Sequence, residues 1–210
     1  MEKIMSTIPN LTIITLNEPE VPDFAATRNK AEKHVQTDWI LHLDTDEQLT
    51  PELKNEIMKA IKNSQYVAYK IPRLDIFLGQ KLKYGENGHN RFVRLIRRGI
   101  GHWERPVHEV WVGDGRVGEL NSPIIHKLPD ISTFLTKINR YSTQEAAFRK
   151  QNNKNSSLWQ IAIYPFAKFI KNYLFYQGIR DGIPGLIMAG LMSFHSYLTW
   201  SKLYLLWHKK

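Results

Sequence analysis

The chain has 210 residues, of which 42% are hydrophobic and 23% are charged, and this composition excludes an intrinsically disordered protein. It contains no cysteine, so a disulfide framework, a cysteine-based zinc site and thiol catalysis are all excluded. The formal net charge of +9 indicates an anionic partner, which is nucleic acid, acidic lipid or a phosphorylated ligand.

The first sixty residues predict alternating strands and helices. The β-branched run Leu11–Leu16 predicts a strand, and Phe24–Val35 predicts a helix that Asp23 caps. The apolar run Trp39–Leu43 predicts a second, buried strand, so these elements form a parallel βαβ unit. Helical spacing of apolar residues predicts a further helix at Glu52–Asn63.

The middle of the chain predicts a mixed or antiparallel sheet built from short strands. The candidate strands are Tyr66–Ile71, Arg91–Ile96, Val107–Val112 and Arg116–Leu120. The last two are separated by Asp114-Gly115, which is typical of a tight hairpin turn, so we expect them to pair with each other.

The C-terminal part predicts a helical, membrane-associated region. A charged helix, Ile131–Lys150, and a polar linker precede two apolar segments rich in aromatic residues, Leu158–Tyr176 and Leu186–Trp207. The second segment carries a narrow polar stripe formed by His195, Thr199 and Lys202. Three arrangements are open, in this order of preference: helices lying in an anionic bilayer surface, a hairpin packed against the domain, and a membrane span.

Two carboxylates one residue apart, Asp44 and Asp46, follow the buried strand. In an extended chain these side chains point the same way, at the edge where open α/β sheets bind ligands. Two oxygen donors suit a divalent cation, which could hold a diphosphate. The alternative is a strand that simply ends in a polar turn.

Two further groups of residues are candidates for binding and catalysis. Arg28-Asn29 lies near the start of the first helix, where a helix N-terminus and a guanidinium favour phosphate, although a solvated surface arginine is the alternative. The segment Arg105-Pro-Val-His-Glu109 brings together an arginine, a histidine and a carboxylate that could act as a general base. On a strand His108 and Glu109 would face opposite ways, so only one of them is expected to face the site.

A histidine near the end of the sheet region, His126, is a candidate third ligand of the metal or the diphosphate. The alternative is a core histidine that is only hydrogen-bonded.

Two other function classes fit the residues less well. The run before Asp46 is similar to the opening motif of haloacid-dehalogenase-type phosphatases, but Gln48 stands where that motif has threonine or valine. Nucleic-acid binding would use the basic run of Arg91, Arg94, Arg97 and Arg98, but a strand divides these arginines between its two faces.

An ordered series of motifs resembles inverting family 2 glycosyltransferases of GT-A fold, in particular the branch of lipopolysaccharide-core β-glucosyltransferases. The resemblance extends over roughly residues 20 to 150. The motifs are Phe24-Ala-Ala-Thr-Arg-Asn29, Asp38-Trp-Ile-Leu-His-Leu-Asp-Thr-Asp-Glu47, Tyr69-Lys-Ile-Pro-Arg73, Phe77-Leu-Gly79, Arg94-Leu-Ile-Arg-Arg-Gly99, Arg105-Pro-Val-His-Glu109, Gly115-Arg-Val-Gly118, Ile124-Ile-His126 and Lys137-Ile-Asn-Arg-Tyr-Ser142.

The resemblance implies transfer of a sugar from a nucleoside diphosphate donor to a lipid-linked or envelope glycan acceptor, with Mn²⁺ or Mg²⁺. Asp44 and Asp46 match the Asp-x-Asp motif that positions the metal and the diphosphate, and Glu109, with His108, falls where the branch has its candidate base. The expected site residues are then catalytic Glu109 and His108, donor-binding Arg28, Asn29, Asp44 and Arg105, and metal ligands Asp44, Asp46 and His126.

The expected fold is α/β, a GT-A-like Rossmann-type mixed sheet that is incomplete at its N-terminus. Residues 1–128 would form this domain, residues 129–157 a charged helix and linker, and residues 158–210 the membrane-associated helices. Leu11–Leu16 would be the family's third strand at an open sheet edge, since there is no room for the preceding nucleoside-binding strands. Gly88-His89-Asn90 also departs from the aromatic-Pro-Asp sequence of many relatives, which bears on the acceptor.

These features and the resemblance predict a location at the cytoplasmic face of the inner membrane, as a peripheral or single-span protein. The alternative function is a non-catalytic, membrane-bound remnant or subunit of such an enzyme, which keeps the scaffold without binding a nucleotide.

Overall fold

The computed structural model describes residues 3–16, 23–62, 65–106 and 108–208. The chain divides into two compact units. Unit 1 consists of Met1–Leu74 and Asn90–Lys127, and unit 2 consists of Asp75–His89 and Leu128–Lys210. Unit 2 therefore contains a segment, Asp75–His89, that the sequence assigns to the sheet domain.

The strands and helices predicted between Leu11 and Asn63 have bounds close to those observed, whereas the strand predicted at Tyr66–Ile71 runs on to Phe77 and several short strands were not predicted. In chain order the elements are β1 (Lys3–Ile8), β2 (Leu11–Leu16), α1 (Phe24–Glu32), β3 (Trp39–Asp44), β4 (Glu47–Gln48), α2 (Pro51–Ala60), β5 (Ala68–Phe77), β6 (Gln80–Lys81), β7 (Arg91–Arg97), β8 (Gly101–Glu104), β9 (Val110–Gly113), β10 (Val117–Glu119), β11 (Ile124–Lys127), α3 (Ile131–Gln151), α4 (Leu158–Ile170) and α5 (Gly182–His208).

The main sheet is mixed, as predicted, and has the strand order β1-β2-β3-β7-β5-β11-β4, with β6 and β10 also pairing with β5. Strands β2 and β3 are parallel over their full length, which confirms the predicted βαβ unit. Strand β7 runs antiparallel to β3 on the other side. The α/β fold class is therefore confirmed.

The edge of β2 is covered by a strand, β1, that was not predicted from the sequence. Strand β1 pairs antiparallel with β2, from Lys3 opposite Thr15 to Ile8 opposite Leu11. The connecting turn contains Asn10 at a positive φ of 64°, a conformation that asparagine tolerates. The expectation that Leu11–Leu16 forms an open edge is wrong, because this hairpin satisfies the outer backbone groups of β2.

The predicted hairpin across Asp114-Gly115 is also wrong. Strand β9 pairs with β8 in a separate two-stranded sheet that places Trp103 opposite Trp111, while β10 joins β5 in parallel. Both tryptophan side chains are buried, so the apolar surface that the β8–β9 pair buries outweighs the local turn signal.

The two faces of β3 differ in chemistry, and this difference positions the site. One face packs Leu41 and Leu43 against Leu53 and Ile57 of α2 in an apolar core. Residues at the intervening positions of β3 point to the opposite face, toward α1, and include His42 and Asp44. The α1 face therefore carries polar groups where the α2 face is hydrophobic.

Unit 2 is a helical assembly in which α5 packs against α3 and α4. The polar stripe of α5 turns inward, because the Lys202 ammonium donates to Asn139 Oδ1 at 2.7 Å and to Ser142 Oγ and Thr143 Oγ1 at 2.8 Å, all on α3. Helix α4 begins with a capping box formed by Ser157 and Gln160. Across the described ranges, no helix has the length and apolar character needed to span a bilayer.

Candidate active site

The carboxylate of Asp44 lies at the carboxyl end of β3 and is held by two buried arginines. Arg28 Nη2 donates to Oδ1 at 2.9 Å, and Arg94 Nη2 donates to Oδ2 at 2.7 Å. Burial alone would raise the pKa of Asp44, but the charges of Arg94 and Arg28 outweigh it and hold the pKa well below its usual range. Asp44 is therefore a carboxylate at neutral pH.

Glu109 joins the same cluster from a distant part of the chain. Arg28 Nη2 and Nε both donate to Glu109 Oε1, at 2.9 and 3.2 Å. The segment that carries Glu109 is tied to the start of α1, since the backbone N–H of Phe24 donates to the carbonyl of Pro106 at 3.1 Å. The structure thus brings together Arg28, Asp44 and Glu109, three of the residues that the sequence singled out.

Two members of the cluster were not predicted, namely Glu47 and Arg94. Glu47 Oε2 accepts from the backbone N–H of Asp44 at 3.0 Å, and Glu47 Oε1 accepts from Arg94 Nη2 at 3.0 Å. Arg94 Nη1 is also 3.6 Å from Glu109 Oε1. Burial would lower the pKa of Arg94, but the carboxylates of Asp44, Glu47 and Glu109 raise it above the ordinary arginine value.

A sequence signal for Arg94 did exist. Arg94 is buried together with Leu95 and Ile96, whereas Arg91 and Arg97 at the two ends of β7 are exposed. A single arginine in an otherwise apolar stretch, Val93 to Ile96, indicates a buried charge that needs carboxylate partners. From the sequence, Arg94 was considered only as one arginine of a basic run and as the start of a family motif, without a role in the site.

The pair Asp46 and His126 lies next to this cluster. His126 Nε2 is 3.4 Å from Asp46 Oδ2, and β11 is fixed beside the acidic turn because the Lys127 N–H donates to the Asp46 carbonyl at 3.2 Å. Asp46 is partly exposed, whereas His126 is buried. Within the described ranges, no group of three or more histidine and acidic side chains is arranged to hold a metal ion.

The remaining predicted residues lie around the cluster. The Asn29 amide nitrogen donates to the Trp103 carbonyl at 2.9 Å, and the Asn29 amide oxygen accepts from the Trp103 backbone N–H at 2.8 Å. These two hydrogen bonds fix α1 to β8. Arg105 and His108 both have positive φ, 74° and 54°, a conformation that costs non-glycine residues energy and recurs at functional sites. His108 is exposed and Arg105 is half-buried. The predicted roles of Asn29 and Arg105 in donor binding and of His108 in catalysis stay predictions.

Two buried donors of the cluster, Arg28 Nη1 and Arg94 Nε, have no hydrogen-bond partner in the described structure, and Arg28 Nη1 is the more informative. Arg28 is fully buried, its guanidinium lies 5.1 Å from the centre of the Trp103 ring, and its Nη1 has no hydrogen-bond partner in the described structure. A buried N–H without a partner is costly, so this atom is suited to an oxygen of an anionic ligand.

A second polar cluster lies on the same face of β3. His42 Nε2 is 2.9 Å from Glu32 Oε1, which also accepts from Trp103 Nε1 at 2.6 Å. Burial is the largest influence on His42 and lowers its pKa from 6.5 to about 4, against the opposing effect of Glu32. His42 is therefore neutral in the folded protein and ionises in the unfolded chain below pH 6.5.

This burial predicts a loss of stability in acid. Because the folded pKa lies below the unfolded value, the contribution of His42 is complete above pH 6.5 and is lost as the pH falls toward 4. We expect His42→Gln to flatten the pH dependence of the free energy of unfolding in this window by about 3 kcal/mol, at ~1.4 kcal/mol per pH unit. Urea titrations from pH 7.5 to 4 measure the free energy of unfolding at each pH, and His34→Gln, at an exposed histidine, is the control. If the free energy of unfolding depends on pH in the same way for His42→Gln and the parent, the prediction is wrong.

Comparison with known proteins identifies relatives of the chain. The family model described as glycosyl transferase family 2 matches residues 1–112, which include β1 to β8 and Glu109. An uncharacterized glycosyltransferase of Rickettsia typhi is 23% identical over 194 residues, 86% of this chain and 66% of that protein. Another from Rickettsia felis is 24% identical over 194 residues, 86% of this chain and 69% of that protein.

A shorter similarity links the chain to a larger protein. A TPR repeat-containing protein of Synechococcus elongatus is 33% identical over 89 residues, which cover 42% of this chain and 21% of that protein. The chain spans 66% of the Rickettsia typhi relative's length.

Proposed function

The chain belongs to glycosyl transferase family 2, and on this basis we propose that it transfers a sugar from a nucleoside diphosphate sugar to a glycan acceptor of the cell envelope, with inversion at the anomeric carbon. The family supports a sugar transfer. The donor, the acceptor, the inverting course and membership of the lipopolysaccharide-core β-glucosyltransferase branch are parts of the proposal.

The observation that carries the proposal is the convergence of Arg28, Asp44, Arg94 and Glu109 from four separate segments at the carboxyl end of β3. Open α/β sheets bind ligands at this edge. A diphosphate leaving group needs fixed positive charge, and Arg28 supplies it with an N–H that has no partner in the described structure.

Glu109 is assigned the proton transfer. Both hydrogen bonds from Arg28 fall on Oε1, so Oε2 is the oxygen assigned to receive a proton. In the proposed step the acceptor oxygen forms a bond to the anomeric carbon while the bond from that carbon to the diphosphate oxygen breaks. The acceptor proton passes to Glu109, and the electron pair leaves with the diphosphate.

A divalent metal fits part of the predicted ligand set. Asp46 Oδ2 and His126 Nε2 are 3.4 Å apart and could share one ion, Mn²⁺ or Mg²⁺, which would add positive charge at the diphosphate. Asp44 fits less well, because both of its carboxylate oxygens already accept from arginines. Its role as a ligand stays a prediction, and we assign Asp44 to holding Arg28 and Arg94 in place.

Donor binding tests the proposal against the non-catalytic alternative. Thermal unfolding is followed with UDP-, GDP-, ADP- and CMP-linked sugars, each with Mn²⁺, Mg²⁺ or a chelator. A donor at one hundred times its dissociation constant is expected to stabilise the protein by about 2.7 kcal/mol. We expect Asp46→Asn to abolish the metal-dependent part of this stabilisation.

The matched control is Asp38→Asn, which changes an exposed aspartate before β3 and is expected to leave donor binding unaltered. If no nucleotide sugar raises the unfolding temperature under any condition, the chain is the non-catalytic scaffold instead. If Asp38→Asn and Asp46→Asn behave alike, the metal assignment is wrong while the donor site stands.

A further inference from the structure

Trp103 on β8 is contacted by three side chains of α1. The Arg28 guanidinium lies 5.1 Å from the centre of the Trp103 ring. The indole N–H of Trp103 donates to Glu32 Oε1 at 2.6 Å, and the Asn29 amide bonds to the Trp103 backbone at 2.9 and 2.8 Å. Trp103 is 4% exposed, so these contacts are shielded from water. One helix therefore carries the site arginine and also holds the aromatic ring that lies against it.

Hydrogen bonds hold only one edge of the Arg28 guanidinium. Its Nε and Nη2 donate to Glu109 Oε1, and Nη2 also donates to Asp44 Oδ1. A planar group held along one edge can still tilt about that edge, and tilting displaces Nη1 most, the atom that has no hydrogen-bond partner in the described structure. An aromatic ring opposes the tilt, because a guanidinium is attracted to the ring face and loses van der Waals contact when it turns away.

The Trp103 ring is itself fixed by groups other than Arg28. Glu32 Oε1 holds the indole N–H, and the His42 ring meets the Trp103 ring at an angle of 78°, with the ring centres 5.2 Å apart. The backbone of Trp103 is paired with that of Trp111 in the β8–β9 hairpin. A ring held at its N–H, by a neighbouring ring and through its backbone gives the guanidinium a fixed surface to lie against.

We infer that Trp103 is a positioning residue for the proposed sugar transfer: its ring sets the tilt of the Arg28 guanidinium, so that the Nη1 N–H points at an oxygen of the leaving diphosphate. The inference rests on the proposed function, because the diphosphate is the ligand that this function gives to Arg28. Trp103 acts through Arg28. Without the ring, Arg28 would keep both carboxylate partners, but Nη1 would be ordered only when the diphosphate binds, and that ordering lowers the affinity.

Trp111, on the other strand of the same hairpin, provides a matched control. It lies opposite Trp103 and is 7% exposed, so the two indoles bury similar apolar areas. The Trp111 ring packs on the backbone of Gly101 and Gly113, where an added Cβ would lie 2.6 or 2.5 Å from a ring atom. Replacing either tryptophan with leucine weakens the hairpin, whereas the change at Trp103 also removes the ring from Arg28.

Titration calorimetry of the full chain with inorganic pyrophosphate, in buffers that contain Mg²⁺ or a chelator, tests the inference. Trp103→Leu is expected to raise the dissociation constant of pyrophosphate about tenfold, the size of a cation–π contact in a buried site. Trp103→Phe keeps an aromatic ring and should recover most of this loss. Trp111→Leu should bind pyrophosphate like the parent, although we expect both leucine variants to unfold at lower urea concentrations than the parent.

The inference is overturned if Trp103→Leu binds pyrophosphate as tightly as the parent. It is also overturned if Trp111→Leu loses as much affinity as Trp103→Leu, because a general weakening of the hairpin then explains both. Should Trp103→Leu not fold, a ring-fluorinated tryptophan at position 103 keeps the shape of the indole and withdraws electron density from its face; an unchanged dissociation constant then overturns the inference.

Failure of the inference differs from failure of the proposed function. If the parent binds neither pyrophosphate nor any nucleotide sugar, the proposed function fails and the inference fails with it. If the parent binds pyrophosphate and the variants at Trp103 bind it equally well, the inference alone is wrong.

Discussion

Replacing Arg94 with methionine is expected to lower the free energy of unfolding by about 3–5 kcal/mol, because it breaks a buried charge network by removing one partner. Asp44 and Glu47 would each lose a charged hydrogen bond of 3.0 Å or less while staying buried, so that Asp44 would keep only Arg28 as a close cationic partner and Glu47 only the more distant Arg73. Urea denaturation at pH 7 measures the effect.

The control for this change is Arg97→Met on the same strand, where the arginine is exposed, and its expected effect is within about 0.5 kcal/mol. Adding Asp44→Asn to Arg94→Met should restore part of the lost stability, because the second substitution removes one of the two buried carboxylates that lost Arg94 as a partner. Equal effects of Arg94→Met and Arg97→Met would show that the cluster does not contribute to stability.

Replacing Glu109 with glutamine is expected to reduce the rate of sugar transfer about 10²–10⁴-fold, the usual contribution of a positioned general base. The amide oxygen still accepts from Arg28, so the fold and donor binding should be nearly unchanged, while the side chain no longer takes the acceptor proton. Single-turnover transfer, measured with the donor and metal found in the binding experiment, gives the rate.

The comparison variant is Glu104→Gln, whose carboxylate lies on the surface of β8 and pairs with His102. Its transfer rate should equal that of the parent. A rate for Glu109→Gln within a fewfold of the parent would assign the proton transfer to another group, of which exposed His108 is the nearest candidate in the sequence.

The sequence alone determined those features that depend on local patterns. Apolar runs and caps placed β2, α1, β3 and α2 within a few residues, because burial of a continuous face needs a regular spacing of side chains. The alternation along β3 also placed Asp44 at the strand end, on the side of the sheet opposite Leu43. Together with the ordered motifs, these elements were sufficient to indicate the family.

Only the tertiary structure decided which of these residues meet. Arg28 and Glu109 are 81 positions apart, and Arg94 and Asp44 are 50 apart, so no local rule could pair them. The pairing of β9 with β8 rather than β10 is different, because it is a local hairpin that buries both Trp103 and Trp111, and the turn signal at Asp114-Gly115 concealed it. A charged residue on a strand gives the same sequence pattern whether its side chain faces water or a carboxylate. Arg94 is recognised as a site residue only from the fold, which buries it beside Asp44, Glu47 and Glu109.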